Sequence, residues 1–600
     1  MRYYFSFLTS AALLSTTVVS ENGTKECKCV PGADCWPSAA DFSALNVTLS
    51  GHLIQSLPPA SVCYTNQPTY NSTTCDYVLE NWFQSTFHAS SPISIGWPWW
   101  AHNSCPPIYP NGTTVTGDTE AGKKGCTIGA YPAYAVNAMK EEHVVAAVNF
   151  AREKGVRLNI KSTGHSFHGR STAFGSLSVW THNMRGFEYH ENFQAASCFS
   201  SNGTQMAFTV AAGERVRDVY TAAHEQNLIV VGGAAQDVGI VGWFSGGGHG
   251  PLSSTYGFGV DNVLEITIVT PDGALRTTNP CLNPDLFWAL RGGGGGTFGV
   301  ITSVTMKAYP SPRGSRHEFT MALKDPEKVT RYWDLVASVM SELPRLHAGG
   351  MQGYSIIFPP GFDGAISWEW RWGFNVWDKP NGTIESLFAP IAEKLNPHNG
   401  TTIVYTSQVY HYPSFFALWN ATVGFEPVAL TAAAFGSRLL PAAPLTEDTN
   451  RLARMLENIT TQAEGLVSTP MLQAAPVANH NSAMIKETSI TPAWRDAVLH
   501  FIVLDYFPDS VTHDEAKPVL DKMTYDRMAT LKSLAPESGA YLNEADPYDP
   551  DWQYTFYGSN YPKLKEVKEK FDPESVLWCL SCVGSEEWAE ESSGTLCKVA

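Results

Sequence analysis

The stretch KSTGHSFHGR, residues 161–170, comes directly after VRLNI, an alternating run that is typical of a β-strand. It places two histidines, His165 and His168, three residues apart among small and polar residues. By residue type they could form a metal site or a catalytic pair. Because no cysteine or carboxylate lies close to them in the sequence, a metal site is disfavoured. Their role depends on what the rest of the chain contributes.

Glycine-rich stretches follow further along the chain. GGAAQDVGIVGWFSGGGHGPLSSTYGFGVDN spans residues 232–262, and RGGGGGTFG spans residues 291–299. Loops of this kind allow backbone N–H groups to approach a phosphate closely. Neither stretch continues into the Gly-Lys-Ser/Thr of a Walker loop, and neither is a G-x-G-x-x-G turn that opens a helix between parallel strands. Glycine content alone therefore fits either phosphate binding or tight loops.

The segments around these loops carry clear signals of secondary structure. NAMKEEHVVAAVNFAREKG predicts a helix with Asn137 as a possible cap and Gly155 as its end. Residues 263–278, VLEITIVTPDGALRTT, predict a hairpin with a Pro-Asp-Gly turn. NPDLFWALRGGGGG predicts a short helix with Asn283 as its cap and Pro284 at its first position. Near the C-terminus, Leu564, Val567 and Phe571 predict a helix that stops at Asp572-Pro573.

Beyond about residue 313 strands alternate with helices, which predicts a second α+β domain with a broad sheet. One strand, AISWEWRWGF, is expected to carry five apolar side chains on one face: Ile366, Trp368, Trp370, Trp372 and Phe374. We interpret the tryptophans as packing between the sheet and its helices. Ring stacking against a substrate is the alternative.

The glycine-rich loops, the histidine in Gly-His-Ser and the late segment YGSNYPKLKEVKEKFDP, residues 557–573, occur together in this chain. In this order they resemble the vanillyl-alcohol-oxidase-type (PCMH-type) FAD-linked oxidoreductases, and most closely the berberine-bridge-enzyme-like branch. The resemblance covers about residues 126–312 and the chain from about residue 536, and it is thin between them. It implies an α+β fold of two domains, an FAD-binding fold of the vanillyl-alcohol oxidase type with an α+β substrate domain over the flavin.

We therefore expect the chain to have five parts. These are a signal peptide at 1–20, a cysteine-rich N-terminal segment at 21–125, an FAD-binding domain at 126–312, a substrate domain at 313–535 and the C-terminal part of the FAD domain at 536–600.

The resemblance also implies how the cofactor is held. In the family the histidine of Gly-His-Ser bonds covalently to the flavin 8α-methyl group, and His165 occupies that position; His168 has no such role there and is interpreted as structural or surface. The second loop of the family often reads CPTVGVGGHFSGGGYG, with its cysteine forming a second bond to the flavin. This chain reads AQDVGIVGWFSGGGHG, so Ala235 stands in the cysteine position. We expect FAD to be covalently bound through His165 only, with Cys198 as a remote alternative for a second link.

The residues that the resemblance implies for cofactor binding lie in both loops, in two strands and near the C-terminus. They are Lys161, Ser162, Thr163, Gly164, His165, Ser166, Ala235, Val238, Gly239, Gly242, Ser245, Gly246, Gly247, Gly248, Val263, Val300, Asn560 and Tyr561.

Three residues are expected to act in the reaction, and no metal is expected. By resemblance Val238 faces the flavin, and a valine there is similar to members that react with oxygen, whereas isoleucine is similar to dehydrogenase-like members. Tyr541, in AYLNEAD, matches a tyrosine beside the flavin in relatives that read AYVNYRD, and Glu544 replaces the second tyrosine of that motif. A phenol has an ordinary pKa of about 10 and needs a lowered pKa or a concerted transfer to act as a base. Tyr541, Glu544 and a group in the substrate domain therefore all stay open as the base.

Charge and processing signals narrow the partners and the compartment. The net charge of −17 disfavours nucleic acid, which requires a basic surface. Arg2 followed by a short apolar run predicts a signal peptide cleaved near Glu21, and no later segment is a transmembrane candidate. The twelve cysteines then predict disulfides of undefined pairing. Glycosylation is predicted at nine sequons: Asn22, Asn46, Asn71, Asn111, Asn202, Asn381, Asn399, Asn420 and Asn458.

Together these features predict a secreted, monomeric FAD-linked oxidase. Hydride would move from an alcohol, sugar or secondary-metabolite carbon to FAD, and oxygen would reoxidise the flavin to give hydrogen peroxide. The expected partners are a small-molecule substrate and oxygen, with no nucleic acid and no membrane. The alternatives are an FAD-dependent dehydrogenase or oxidative cyclase of secondary metabolism and, from another class, a glycosylated binding protein that keeps a flavin without turnover.

Overall fold

A computed structural model describes residues 26–102, 104–109, 112–118, 120–121, 126–198, 204–424, 428–429, 432–462, 464, 468–477, 486–508 and 511–599. The expected signal peptide and the sequons at Asn22, Asn111 and Asn202 lie outside the described residues. Across the described part of the chain, no helix combines the length and the apolar character that a membrane crossing requires.

The N-terminal segment contributes three helices and one strand, which are α1 Ala39–Thr48, β1 Leu53–Gln55, α2 Ser72–Asn81 and α3 Ser85–Ser90. All twelve cysteines of the chain are in disulfides, as the sequence predicts. The pairs are Cys27–Cys597, Cys29–Cys35, Cys63–Cys75, Cys105–Cys126, Cys198–Cys281 and Cys579–Cys582. The first of these pairs ties the N-terminal segment to the C-terminal end of the chain.

The first sheet carries the loop that contains His165. It consists of β1, β2 (Tyr134–Asn137), β3 (Leu158–Lys161) and β4 (Leu177–Trp180) in the order β1-β2-β4-β3, with helix α4 (Glu141–Lys154) between β2 and β3. Strands β2 and β3 both run parallel to β4. The loop follows the carboxyl end of β3, and this edge of a parallel sheet is where ligands bind in α/β folds.

The second sheet is antiparallel and has the order β5-β6-β10-β8-β9, with β7 paired to the end of β10. Its strands are β5 Phe187–Phe193, β6 Gln205–Ala211, β7 Leu228–Val230, β8 Val263–Val269, β9 Leu275–Thr278 and β10 Val300–Pro310. The helices in its connections are α5 Val216–Glu225, α6 Ile240–Ser245, α7 Ser253–Tyr256 and α8 Pro284–Leu290. The predicted hairpin is the β8–β9 pair.

The third sheet, called the large sheet below, has seven antiparallel strands in the order β14-β11-β13-β12-β16-β17-β15. Its strands are β11 Gly314–Leu323, β12 Gln352–Phe358, β13 Glu369–Trp377, β14 Ile403–Tyr412, β15 Ala432–Leu440, β16 Thr469–Pro476 and β17 Leu499–Phe507. The helices between and after them are α9 Val329–Met340, α10 Leu343–Ala348, α11 Thr383–Leu395, α12 Phe415–Thr422, α13 Ala443–Thr446, α14 Thr449–Ile459, α15 Ala493–Asp496, α16 His513–Lys522 and α17 Met528–Leu534.

The two faces of the large sheet have different surroundings. Trp370, Trp372 and Phe374 of β13 are buried in a core that they share with helices α9, α11 and α14. The alternate residues Gly373 and Asn375 line a large cavity on the opposite face. Because side chains alternate along a strand, one face forms the core and the other is left for a ligand. Trp370 and Trp372 are therefore packing residues, as interpreted from the sequence.

Three local expectations are wrong. Asn137 lies at the end of β2, before helix α4 begins, although that helix does end at Gly155, where φ is +64°. Asn283 precedes α8, but its side-chain amide donates to a strand carbonyl instead of capping the helix. Ile366 precedes β13 and is 95% exposed, so it does not share the buried face of that strand.

The C-terminal part adds the last two helices and a hairpin: α18 Trp552–Tyr557, α19 Tyr561–Phe571, β18 Trp588–Glu590 and β19 Leu596–Lys598. Helix α19 is the predicted C-terminal helix, with Leu564 and Val567 buried. The Lys568 ammonium donates to the Thr297 carbonyl at 2.8 Å, which ties this helix to the glycine-rich stretch at residues 291–299.

Candidate active site

A cavity of about 1570 Å³ lies between the glycine-rich loops and the open face of the large sheet. Pockets for drug-sized ligands usually occupy ~300–1,000 Å³. The space is therefore sufficient for a large cofactor and a substrate together.

The first loop makes a tight turn that packs against the segment around Ser94. Gly164 has a φ of +84°, and a Cβ atom there would lie 3.1 Å from the Ser94 carbonyl oxygen. The backbone N–H of Gly96 donates to the Gly164 carbonyl at 3.0 Å and holds the turn in place. Glycine is needed at this position, because other residues rarely adopt this conformation and lack the room.

His165 presents an imidazole nitrogen to the cavity. Its Nε2 atom is buried and has no hydrogen-bond partner among the described residues. An unsatisfied buried polar atom costs about 1–3 kcal/mol, so a ligand atom is expected there. A neutral imidazole nitrogen is also a nucleophile, which suits covalent attachment.

Arg170 is a second group that requires a ligand. All three of its guanidinium nitrogens are buried without a hydrogen-bond partner among the described residues, and the side chain lines the cavity. Burial lowers the pKa of Arg170, yet a guanidinium stays charged in proteins. An unpaired buried charge is costly, so an acceptor oxygen of a bound molecule is expected opposite it.

The second loop contributes Ala235, Val238, Gly239 and Gly242 to the cavity wall. A Cβ atom at Gly239 would lie 2.8 Å from Ser162 Oγ, so the two loops touch each other at this point. The wall is thus built from two loops that are far apart in the sequence.

These features fit an FAD molecule. Gly164 and Gly239 both line the cavity, and backbone N–H groups of such loops can approach a pyrophosphate. Arg170 offers a positive charge with five free N–H donors in a rigid fork, and His165 offers the attaching nitrogen. The donor set and the volume therefore agree with the cofactor that the resemblance implies.

A cluster of titratable side chains forms another part of the site. His249 Nε2 lies 3.1 Å from Glu544 Oε2, and His500 Nδ1 lies 3.6 Å from the same oxygen. Tyr354 Oη lies 3.4 Å from His249 Nδ1. Tyr541 packs edge-on against His249, with 5.2 Å between the ring centroids. Four of these side chains line the cavity, and His500 lies behind them on β17 with its side chain fully buried.

The Tyr541 hydroxyl is already engaged by the protein. It donates to the Trp243 carbonyl at 3.2 Å and accepts from the Asn543 side-chain amide at 2.8 Å. Burial raises the pKa of Tyr541 well above its usual value, and the nearby Glu544 carboxylate adds to the effect. The phenol is therefore held in its protonated form.

Glu544 is ionised, whereas His500 is neutral. Burial alone would raise the pKa of Glu544, but the charge and hydrogen bond of His249 lower it below its usual value. Burial lowers the pKa of His500 to about 3, so that imidazole is neutral at physiological pH. The cluster thus combines an ionised carboxylate with a neutral imidazole behind it.

The structure brings about half of the expected cofactor residues to the cavity. Those that line it are Ser162, Thr163, Gly164, His165, Ser166, Ala235, Val238, Gly239 and Gly242. Those that lie behind the wall are Lys161, Ser245, Gly246, Gly247, Gly248, Val263, Val300, Asn560 and Tyr561. Val263 and Val300 are buried strand residues, and Asn560 and Tyr561 direct their side chains to a backbone carbonyl and to Glu586.

The Lys161 side chain is directed to the end of helix α3. Its buried ammonium group donates to the backbone carbonyls of His88 at 3.1 Å and Ser91 at 2.8 Å, at the end of helix α3. The last carbonyls of a helix lack intrahelical partners, and a positive charge beside them is favourable. Burial lowers the pKa of Lys161 to about 7.

We expect Lys161→Met to lower the free energy of unfolding by about 1–3 kcal/mol, because the buried carbonyls lose their donor. Thermal unfolding followed by tryptophan fluorescence measures the change. Lys486→Met, at an exposed position, is the control. An unchanged unfolding temperature together with weaker flavin binding would instead support the cofactor contact that the sequence suggests.

The fold and the site together define an FAD-dependent oxidoreductase of the vanillyl-alcohol oxidase type. The FAD binding domain family matches residues 132–279, and the family described as berberine and berberine like matches residues 540–580. The chain is 34% identical over 591 residues to the FAD-linked oxidoreductase apf9 of Gibberella fujikuroi, covering 95% of this chain and 96% of that protein. It is 32% identical over 596 residues to the FAD-linked oxidoreductase patO of Penicillium expansum, covering 98% and 97%. The chain belongs to the vanillyl-alcohol-oxidase-type FAD-linked oxidoreductases, within the berberine-like branch.

Solved structures share this fold. The VAO-type flavoprotein MtVAO713 from Myceliophthora thermophila C1 superposes with a TM-score of 0.88 at 32% identity, covering 96% of this chain and 100% of that one. The glucooligosaccharide oxidase of Acremonium strictum, which carries 6-S-cysteinyl, 8α-N1-histidyl FAD, gives a TM-score of 0.59 at 20% identity, covering 76% and 92%. The second likeness shows the fold alone.

Sequence reasoning missed Arg170, His249, Tyr354 and His500. A signal existed for His249, which stands where the family pattern has the tyrosine of GGGYG, while Glu544 stands where it has the second tyrosine of AYVNYRD. The structure shows that these two positions are in contact. Tyr354 and His500 lie in the region where the resemblance is thin, and no motif marks them.

Proposed function

We propose that this flavoenzyme is a secreted oxidase that converts an alcohol to a carbonyl compound and reduces oxygen to hydrogen peroxide. FAD, when bound, supplies the two-electron redox chemistry, and the protein supplies position and charge. The observation that carries the proposal is that His165 lines a cavity shared by both glycine-rich loops, with a buried Nε2 that has no hydrogen-bond partner in the part of the chain that the structure describes.

The covalent link to FAD runs through His165 alone. Ala235 lines the cavity at the position where relatives have an attaching cysteine, and alanine has no nucleophile. Cys198, the remote alternative, is bonded to Cys281. Because every cysteine is in a disulfide, the protein offers no thiolate for a second bond.

The domain limits 126–312 and 313–535 place the cofactor loops and the large sheet in separate units. Strand β10, the last of the second sheet, ends at Pro310, and β11, the first of the large sheet, begins at Gly314. The substrate would lie between these units, against the open face of the large sheet.

The donor is an apolar alcohol rather than an oligosaccharide. The large sheet contributes six apolar side chains to the cavity, which are Ile356, Phe358, Phe435, Met471, Ile502 and Leu504. It also contributes five polar side chains, which are Arg316, Tyr354, Asn375, Gln473 and Tyr506. A sugar buried here would leave several hydroxyl groups unpaired, and each would cost free energy.

Oxygen is the electron acceptor, and Val238 leaves the space through which it reaches the flavin. Val238 is half-buried on the cavity wall, so an added methyl group would extend into the cavity. We expect Val238→Ile to slow reoxidation about tenfold or more, by the size of effect that one methylene has in a tight pocket. Stopped-flow mixing of the dithionite-reduced protein with oxygen measures the rate, and Val241→Ile is the matched control on the same wall. Equal reoxidation rates in wild type and Val238→Ile would contradict the role of Val238.

Secretion and glycosylation are supported by the disulfides and by the accessible sequons. Disulfides persist in oxidising compartments. Among the described sequons the asparagines are exposed or half-buried: Asn46, Asn71, Asn381, Asn399, Asn420 and Asn458. The predicted leader, with its start at Arg2, would direct the chain to this route.

A donor screen on the purified yellow protein tests the function. We expect apolar primary or secondary alcohols to bleach the flavin and release hydrogen peroxide, and glucooligosaccharides to do so poorly. Bleaching followed by slow reoxidation in air would favour a dehydrogenase or an oxidative cyclase. A flavin that no donor bleaches would favour a binding protein without turnover.

A further inference from the structure

The two bases expected from the sequence are both poorly suited to accept a proton. The Tyr541 hydroxyl donates to the Trp243 carbonyl and accepts from the Asn543 side-chain amide, so its hydrogen bonds are made to the protein and not to a substrate. Glu544 Oε2 lies 3.1 Å from His249 Nε2 and 3.6 Å from His500 Nδ1, so this carboxylate is already engaged by its neighbours. A neighbouring side chain is therefore better suited to accept the proton in the proposed reaction.

His249 lies between Glu544 and Tyr354, with one ring nitrogen directed at each. Its Nε2 is 3.1 Å from Glu544 Oε2, and its Nδ1 is 3.4 Å from Tyr354 Oη. An ionised carboxylate only accepts hydrogen bonds, so Nε2 carries the proton of the neutral ring. Nδ1 is then the free acceptor, and it faces the phenol that lines the cavity.

We propose that His249 is the base of this enzyme, that Tyr354 connects it to the substrate hydroxyl, and that Glu544 orients the ring and stabilises its protonated form. This inference rests on the proposed oxidase function. The arrangement of acceptor, base and carboxylate follows the logic of catalytic triads, in which the carboxylate stays ionised while the imidazole takes the proton.

One proton and one hydride leave the substrate in the proposed reaction. The substrate O–H bond breaks as its proton passes to Tyr354 Oη, and the proton of Tyr354 passes to His249 Nδ1. FAD, when bound, would take up the two electrons of the C–H bond as a hydride, and a C=O bond would form in the product. The proton held by His249 later leaves with hydrogen peroxide, for which oxygen is the oxidant.

The groups that face His249 come from every neighbouring element. Glu544 and Tyr541 come from the segment before α18, Tyr354 from β12 and His500 from β17. His168 and Arg170 act on Glu544 and Tyr541 from the first loop. His500 is neutral, so the carboxylate of Glu544 is the charge in closest contact with the His249 ring.

Two imidazoles and a carboxylate are also a donor set for a metal ion, since the ligand atoms of His249, His500 and Glu544 lie within 4.8 Å of one another. The surroundings of the second ring nitrogen of His500 argue against a metal site. A metal-bound histidine almost always donates its other N–H to a partner. His500 has no such hydrogen bond among the described residues from either nitrogen. The 3.1 Å separation of His249 and Glu544 is an ordinary hydrogen bond.

The test measures flavin reduction by an alcohol donor in the absence of oxygen, for the flavin-loaded protein over a range of pH. We expect His249→Asn to reduce its flavin about 10²–10⁴-fold more slowly than wild type. The dependence of the rate on pH should differ between His249→Asn and the wild type, because the variant lacks the imidazole that accepts the proton. Tyr354→Phe should also slow reduction, with a smaller solvent isotope effect. His411→Asn, at an exposed position on β14, is the control.

Each outcome decides the proposal. A wild-type rate and pH profile in His249→Asn or in Tyr354→Phe overturns it, and the second variant serves if the first does not fold. If no alcohol reduces the flavin in any protein, the oxidase function fails and the inference fails with it. One equivalent of tightly bound metal, whose removal by a chelator stops reduction, overturns it in favour of a metal site.

Discussion

The His165→Ala variant should lose all of its flavin to the supernatant when it is precipitated with acid, whereas the wild-type pellet should stay yellow. Non-covalent contacts are destroyed when the protein unfolds, and only a covalent bond keeps the colour on the polypeptide. His165 lines the cavity, and we expect its imidazole, whose Nε2 has no hydrogen-bond partner among the described residues, to form this bond. Absorbance of pellet and supernatant in the yellow region measures the partition.

His168→Ala is the matched control for this experiment. His168 lies three residues further along the same loop, but its Nε2 is 2.8 Å from the Ala545 carbonyl, and burial lowers its pKa to about 3. We expect this variant to retain acid-stable colour even if its stability is reduced. Acid-stable colour in His165→Ala would show that attachment occurs elsewhere.

Glu544→Gln should slow flavin reduction by about 10²–10⁴-fold while leaving the flavin attached. The amide is uncharged, so it cannot stabilise a positive charge on His249, whose Nε2 lies 3.1 Å from the carboxylate in the wild type. Anaerobic stopped-flow reduction by an alcohol donor gives the rate, and acid precipitation confirms that the link to FAD is intact.

Glu537→Gln changes an exposed carboxylate in the same part of the chain and should leave the reduction rate unchanged. A Glu544→Gln variant that reduces its flavin as fast as the wild type would show that the carboxylate only packs in the wall. Loss of the flavin itself in Glu544→Gln would indicate a cofactor contact instead.

The parts of the fold that the sequence predicts are those that depend on short stretches of chain. The Gly-His-Ser loop after β3, the Pro-Asp-Gly hairpin and the C-terminal helix α19 all lie where the sequence predicts them. These features depend on local backbone preferences, which a single sequence records directly. The alternating tryptophans of β13 likewise mark a buried face, and the structure places Trp370 and Trp372 in the core.

The site could be predicted only in part, because a motif gives a stretch of chain but not the direction of each side chain. Gly239 and Gly242 line the cavity, whereas Gly246, Gly247 and Gly248, from the same loop, lie behind it. Lys161 stands one residue before the loop, yet its ammonium group is directed to the end of helix α3. Such directions depend on tertiary packing.

The titratable cluster depends on contacts between distant parts of the chain. His249, Tyr354 and Glu544 are brought together from the second loop, the large sheet and the C-terminal part. No local pattern joins positions so far apart in the sequence. His249 and Glu544 both stand where the family pattern has a tyrosine, but these two differences do not predict that the side chains touch.

Mass spectrometry of the flavin-bearing peptide tests the central claim most directly. Trypsin cleaves after Lys161 and Arg170, so residues 162–170 form one peptide, STGHSFHGR, that contains both His165 and His168. We predict that fragmentation places the whole flavin mass on His165, with no flavin on any other peptide. Flavin on His168, on a second peptide, or on none would contradict the account.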